Sequence, residues 1–173
     1  HVTAQVATMD AHLGIESSGG YRVLGKPKRV SSSMTITSDG DRTVTAAIES
    51  ETWRKTGGVH CSVLFCDGEF MTRACDVGRH NTVDKVVGYA ALQGIDRSRC
   101  VLGCTGRQPA GMVAKVANAG IPIVASRAAS TDRGIFTAEE AGLTLICFSR
   151  GERFTIYTHP ERVADAYLRV GEI

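Results

Sequence analysis

Residues 100–125, CVLGCTGRQPAGMVAKVANAGIPIVA, decide the fold. Residues 100–104 form a short apolar run of strand length, and residues 105–111 carry two glycines and a proline. Residues 112–119 then follow a helical pattern until Gly120 stops it, and residues 121–125 are again extended and β-branched. A strand, glycine-bearing loop, helix and strand in succession predict two parallel strands joined by a crossover.

Working outward, Val59, Cys61, Val63 and Phe65 alternate with His60, Ser62 and Leu64, and Asp67-Gly68 turns the chain back through residues 70–75. That pattern predicts a hairpin. Val83, Val86, Val87, Ala90 and Ala91 fall on one helical face, which Gly94 ends. Downstream, a helix over residues 137–141 is expected, with Thr137 and Glu140 as a capping box. Strands over 143–148 and 154–158 follow, separated by a turn at 149–153, and His159-Pro160 is expected to open a final helix through about residue 168. This order predicts a three-layer α/β fold around a mixed, mostly parallel sheet. Residues 53–173 are expected to form the main domain. Residues 1–52 are expected to form a small N-terminal α+β part, with Gly/Ser clusters, short strands near 21–24 and 34–37, and a helix from Val44.

Composition narrows the function classes. A net charge of +2 over 173 residues gives no bulk field for non-specific nucleic-acid binding. The KPKR run at 26–29 has no interleaved aromatic residues and reads as a solvated loop. No stretch approaches the length of a membrane span, and the first residues do not resemble an export leader, so a cytoplasmic protein is expected. The six cysteines lie mostly in apolar runs and are expected to be reduced core thiols rather than a disulfide framework.

Three polar segments carry candidate chemistry. Cys75 to Lys85 places Arg79, His80 and Asn81 where a strand hands over to a helix. A helix N-terminus flanked by Arg79 and His80 suits an anion, while the structural alternative makes Asn81 a cap and Arg79 a solvated side chain. The loop from Thr105 to Gly111 follows a strand, where open α/β sheets bind ligands. Its Gly106-x4-Gly111 spacing imitates a P-loop, yet Met112-Val113 replace the required Lys-Ser/Thr, which leaves Arg107 as a phosphate partner. Phe148, Ser149, Arg150, Gly151, Glu152 and Arg153 set two arginines and a carboxylate in a turn that suits a dinucleotide, and suits an ordinary polar turn as well. Zinc-deaminase chemistry is disfavoured: His60-Cys61-Ser62 lacks the glutamate of His-x-Glu, and no Cys-x-x-Cys occurs. No metal site is expected.

TGGVH at 56–60, DVGRHNTVDKVVG at 76–88, AGIPIVAS at 119–126 and AGLTLICFSRGERFTIYTHPERV at 141–163 together resemble consecutive blocks of the formate dehydrogenase accessory sulfurtransferase family. The resemblance covers residues 53–163. It implies a zinc-free cytidine-deaminase-like fold and a cytoplasmic homodimer. It also implies transfer of persulfide sulfur from a cysteine desulfurase to the molybdenum bis-molybdopterin guanine dinucleotide cofactor of formate dehydrogenase, with GDP as a mimic. By the same resemblance Phe148, Ser149, Arg150, Gly151, Glu152 and Arg153 match the guanine-dinucleotide segment, and Arg79, His80, Asn81 and Arg107 are expected near it. One departure bears on mechanism: the family's Cys-x-x-Cys upstream of the TGG block is not found here. No catalytic residue is therefore assigned, Cys75 is the only candidate substitute, and a cofactor-binding chaperone without sulfur transfer is the alternative reading.

Overall fold

A computed structural model describes residues 12–15, 21–24 and 26–166. A short hairpin pairs β1 (His12–Ile15) with β2 (Tyr21–Leu24). The main sheet has six strands: β3 (His60–Cys66), β4 (Glu69–Asp76), β5 (Cys100–Cys104), β6 (Ile123–Ser126), β7 (Thr144–Arg150) and β8 (Arg153–Thr158). Their spatial order is β4-β3-β5-β6-β7-β8. The quoted stretch forms the parallel pair β5–β6, and β6–β7 is also parallel. The pairings β3–β4, β3–β5 and β7–β8 are antiparallel, so the sheet is mixed, and the expectation that it is mostly parallel is corrected. The correction has a simple cause. Tight turns at Asp67-Gly68 and Gly151 fold each outer strand back on its neighbour, whereas only the helical crossovers return the chain in the same sense.

Helices cover both faces. On one, α3 (Arg79–Leu92), α4 (Ala110–Asn118) and α5 (Asp132–Ala141) bury Val83, Val86, Met112, Val113, Val116 and Ala138 against Leu64, Leu102, Val124 and Leu145. On the other, α1 (Ser38–Ala47) lays Val44, with Ile48 just beyond its end, on Cys61, Val63, Val101, Ile123 and Ile146, while α2 (Glu51–Thr56) brings Trp53 to its margin. Odd and even residues of the same strands thus feed two cores, as the period of two requires. Helix α1 lies upstream of the boundary expected at residue 53 and packs directly on β5 and β7.

Local expectations are revised at four places. Helix α5 begins at Asp132, because Thr131 Oγ1 accepts from Gly134 N–H, and Thr137 sits mid-helix donating to Arg133 O. Residues 34–37 form no strand: only Ile36 bridges, to Val163, and the helix expected from Val44 starts earlier, at Ser38. The final helix is one 3₁₀ turn, Pro160–Arg162, because Val163 is drawn into that bridge; the region beyond residue 166 lies outside the described residues. Cys66 and Cys100, directly opposed on β3 and β5, are joined by a disulfide, which corrects the expectation of uniformly reduced thiols.

Candidate functional site

Because β3 runs against β5, the start of β3, the end of β4 and the ends of β5, β6 and β7 all lie at one edge of the sheet. Each strand delivers a side chain or loop to that edge. Val59 precedes β3 and His60 opens it, Val77 follows β4, Thr105 follows β5, Arg127 and Ala128 follow β6, and Arg150 ends β7. With Trp53, Gly57 and Gly58 they surround a cleft of about 440 Å³. The carboxyl edge of the parallel strands is where open α/β sheets bind ligands.

The cleft's cations are held differently. Arg127 is an internal post: its guanidinium pairs with Glu49 and lies 5.3 Å from the Trp53 ring centroid. Arg150 spends only its Nε, donating to Arg127 O at 3.0 Å, and its terminal nitrogens have no protein partner among the described residues. Arg150 is therefore the open cation. Gly57 is the left-handed C-cap of α2, and a Cβ added there would meet nothing within 4 Å, so ligand atoms can approach its backbone closely. His60 Nδ1 lies 3.1 Å from Thr105 Oγ1, which also accepts from Cys61 N–H. Burial, then the charge of Arg79, pushes the His60 imidazole below its ordinary range.

The structure separates the segment from Phe148 to Arg153. Phe148 adopts a positive φ of 53° and is exposed, while its N–H donates to Ala128 O. That kink turns Ser149 inward, where it is fully buried and donates to Asp41 Oδ2 at 2.5 Å. Burial raises the Asp41 carboxyl, and the Ser149 hydrogen bond opposes part of that rise. Gly151 supplies the left-handed turn, Glu152 lies at the outer surface 3.8 Å from Arg42, and Arg153 is exposed. Of the six residues only Arg150 lines the cleft.

The other expected residues flank it. Helix α3 starts after Gly78 with no side-chain cap, leaving its first N–H groups open beside Val77. Asn81 does not cap that helix; its amide donates to Asp76 Oδ1, whose carboxyl is held well below the usual range chiefly by Lys85. Arg79 packs against Gly106, where an added Cβ would lie 2.8 Å from Arg79 Cβ, and its buried Nε has no partner among the described residues. His80 lies against α4, and burial followed by the charges of Lys115 and Arg79 holds it neutral down to about 4. Arg107 is exposed and stands outside the cleft. Sequence reasoning missed Trp53, Glu49 and Arg127, whose association requires α2 to dock beside the β6 loop. The THPER block proves structural: Arg162 Nη1 donates to Gly142 O at 2.8 Å and to Thr144 Oγ1, pinning the loops beneath β7.

A three-layer α/β/α domain with a glycine-edged, arginine-bearing cleft at its strand ends is an open-sheet α/β protein whose cleft lies where such folds place their ligand sites. A family model, the FdhD/NarQ family, matches residues 3–164, and the chain belongs to that family. It is 49% identical over 110 residues to the sulfur carrier protein FdhD of Thermoplasma volcanium, covering 63% of this chain and 39% of the relative. To the sulfur carrier protein FdhD of Methanothermobacter thermautotrophicus it is 47% identical over 111 residues, covering 64% and 44%. The chain thus spans less than half the length of these curated relatives. A crystal structure described as a putative formate dehydrogenase accessory protein, from Desulfotalea psychrophila, superposes with a TM-score of 0.73 at 28% identity, covering 88% of this chain and 70% of the other. Among the described residues no helix is long and apolar enough to cross a membrane.

Proposed function

We propose that the cleft at the sheet edge holds the guanine nucleotide end of a molybdenum bis-molybdopterin guanine dinucleotide cofactor, and that the protein serves formate dehydrogenase as an accessory sulfur carrier. The observation that carries this reading is that Arg150, whose terminal nitrogens have no partner among the described residues, lines the same cleft as Gly57, where an added Cβ would meet nothing within 4 Å. The residues fit part of such a group. A cleft of about 440 Å³ is of small-ligand size, so it takes one nucleotide end and leaves the remainder outside. Arg150 would grip phosphate, Gly57 would allow close approach, and Trp53 would offer an apolar face. The cofactor, when bound, supplies the molybdenum that receives sulfur. A cysteine desulfurase as sulfur donor, a homodimeric assembly, a cytoplasmic setting and a zinc-free cytidine-deaminase-like ancestry belong to the same reading, supported by family membership.

A second reading, a cofactor-binding chaperone without sulfur transfer, is favoured by one observation: these 173 residues contain no Cys-x-x-Cys. Both readings require the cleft. Calorimetric titration with GDP tests it: Arg150→Ala should weaken binding about tenfold to a hundredfold, as loss of a charge-assisted contact does. Arg153→Ala, on the outer turn, should leave it nearly unchanged. Equal affinity for wild type and Arg150→Ala would remove the cleft from consideration.

A further inference from the structure

Four cysteines are free, and they differ sharply in setting. Cys104 and Cys147 are fully buried, and burial pushes their thiols up to about 11 and about 12, which makes them inert at neutral pH. Cys61 and Cys75 face each other across the antiparallel pair β3–β4, with Sγ atoms 2.6 Å apart. Directly opposed residues on antiparallel strands have Cα atoms roughly 4.5–5.5 Å apart, inside the range a disulfide spans. Two thiols placed this way are within bond-forming reach without backbone movement.

The pair is asymmetric. Cys61 is fully buried, and its Sγ lies 3.1 Å from the Oγ of Ser50, the N-cap of α2. Cys75 is partly exposed on an edge strand, its carbonyl held by Lys85 Nζ, two residues before Val77 in the cleft wall. His60, next to Cys61, lines the same cleft. A half-buried thiol backed by a fully buried one, a few residues from a cleft that neither lines, brings two sulfurs together as thiol exchange requires.

We propose that Cys75 and Cys61 form a dithiol that accepts sulfane sulfur from a persulfide donor at Cys75 and discharges it through Cys61. This deepens the sulfur-carrier reading and rests on it for the class of donor. In the first step the Cys75 thiolate attacks the outer sulfur of R–S–SH, forming Cys75–S–SH and releasing R–S⁻. In the second, Cys61 Sγ attacks Cys75 Sγ. The Cys61–Cys75 disulfide forms, the Cys75–sulfane bond breaks, and the sulfane sulfur leaves as hydrosulfide, which with the Cys61 proton makes hydrogen sulfide. The two thiols are oxidised by two electrons, and the sulfane sulfur is reduced by two. Cys61 is fully buried and Cys75 partly exposed, so Cys75 meets the donor first.

The test is intact-mass spectrometry with peptide mapping after treatment with inorganic polysulfide, with GDP titration of the same samples. Wild type should release hydrogen sulfide and yield a Cys61–Cys75 cross-linked peptide. Cys61→Ala should retain one sulfur atom on Cys75, removable by reductant, and Cys75→Ala should take up none. Sulfur mapping to another cysteine, or both thiols free in treated wild type, overturns the proposal. Because the wild-type map decides by itself, a variant that fails to fold does not blunt the test. Loss of sulfur chemistry with GDP binding retained sinks the dithiol alone, whereas loss of GDP binding with the cross-link formed sinks the cleft assignment.

Discussion

At the scale of single residues, His80 shows how the fold sets a charge. Burial and the nearby cations Lys115 and Arg79 lower its pKa from an ordinary 6.5 to about 4. Between those values the unfolded chain binds a proton that the folded chain refuses. The stability contributed by neutral His80 is therefore complete above about 6.5 and is lost as pH falls towards about 4. Asp41 acts in the opposite sense: its carboxyl is raised by burial, so its contribution is present in acid and is lost as pH rises through its folded value. Urea midpoints measured from neutral pH downward should fall less steeply for His80→Gln than for wild type. Parallel curves would show that His80 is not held neutral. Arg79, whose side chain packs on Gly106 with its Nε buried, lowers both His60 and His80, so one arginine biases two imidazoles at the same sheet edge.

At the scale of elements, the docking of α1 decides where the turn that bears Arg150 lies. Helix α1 and the residue after it press Val44 and Ile48 onto β5 at Gly103, where an added Cβ would stand 2.7 Å from Val44 Cγ1, 2.8 Å from Val63 Cγ2 and 3.2 Å from Ile48 Cγ1. The same helix offers Asp41 to Ser149 and Arg42 to Glu152 on either side of the turn. Overpacking at such a contact costs about 1–3 kcal/mol, so Gly103→Ala should destabilise the protein by that amount in chemical denaturation. Through the displaced α1 it should also weaken GDP binding more than an equally destabilising change on the α4 face would. An affinity loss no greater than for that control would uncouple α1 from the turn.

At the scale of the molecule, the sheet is tied at its centre and open at its edges. Cys66–Cys100 links β3 to β5 and closes a separation of 34 residues. Loop-closure entropy for a link of that length corresponds to about 2–4 kcal/mol. Replacing Cys66 and Cys100 with alanine should lower stability by that amount, read from denaturation midpoints under oxidising conditions. Equal midpoints for wild type and variant would mean that the bond is not formed in solution. The disulfide lies at the end of β3 away from the cleft, whereas Cys61 lies at the cleft end, so the two cysteine pairs of β3 serve different ends of the sheet.

What the amino-acid sequence alone determined is local and periodic. The alternation from Val59 to Phe65, the helical spacing from Val83 to Ala91 and the strand–loop–helix–strand order of residues 100–125 each follow from which neighbours share a face. The family blocks likewise point to the FdhD/NarQ family. Tertiary structure decided the rest. Strand direction at the sheet edges depends on pairing partners, so element order does not reveal the share of parallel strands. The apolar pattern places the start of α5 too late, because its cap, Thr131, precedes that pattern. Arg127 is far in sequence from Glu49 and Trp53, and the three acquire a common role only when α2 meets the β6 loop. Ser149 and Arg150 are adjacent in the chain, yet one is sealed in the core and the other faces the cleft, because a positive φ at Phe148 rotates the strand just before them. Cys61 and Cys75 become a pair only through the register of β3 with β4, which no spacing in the sequence specifies.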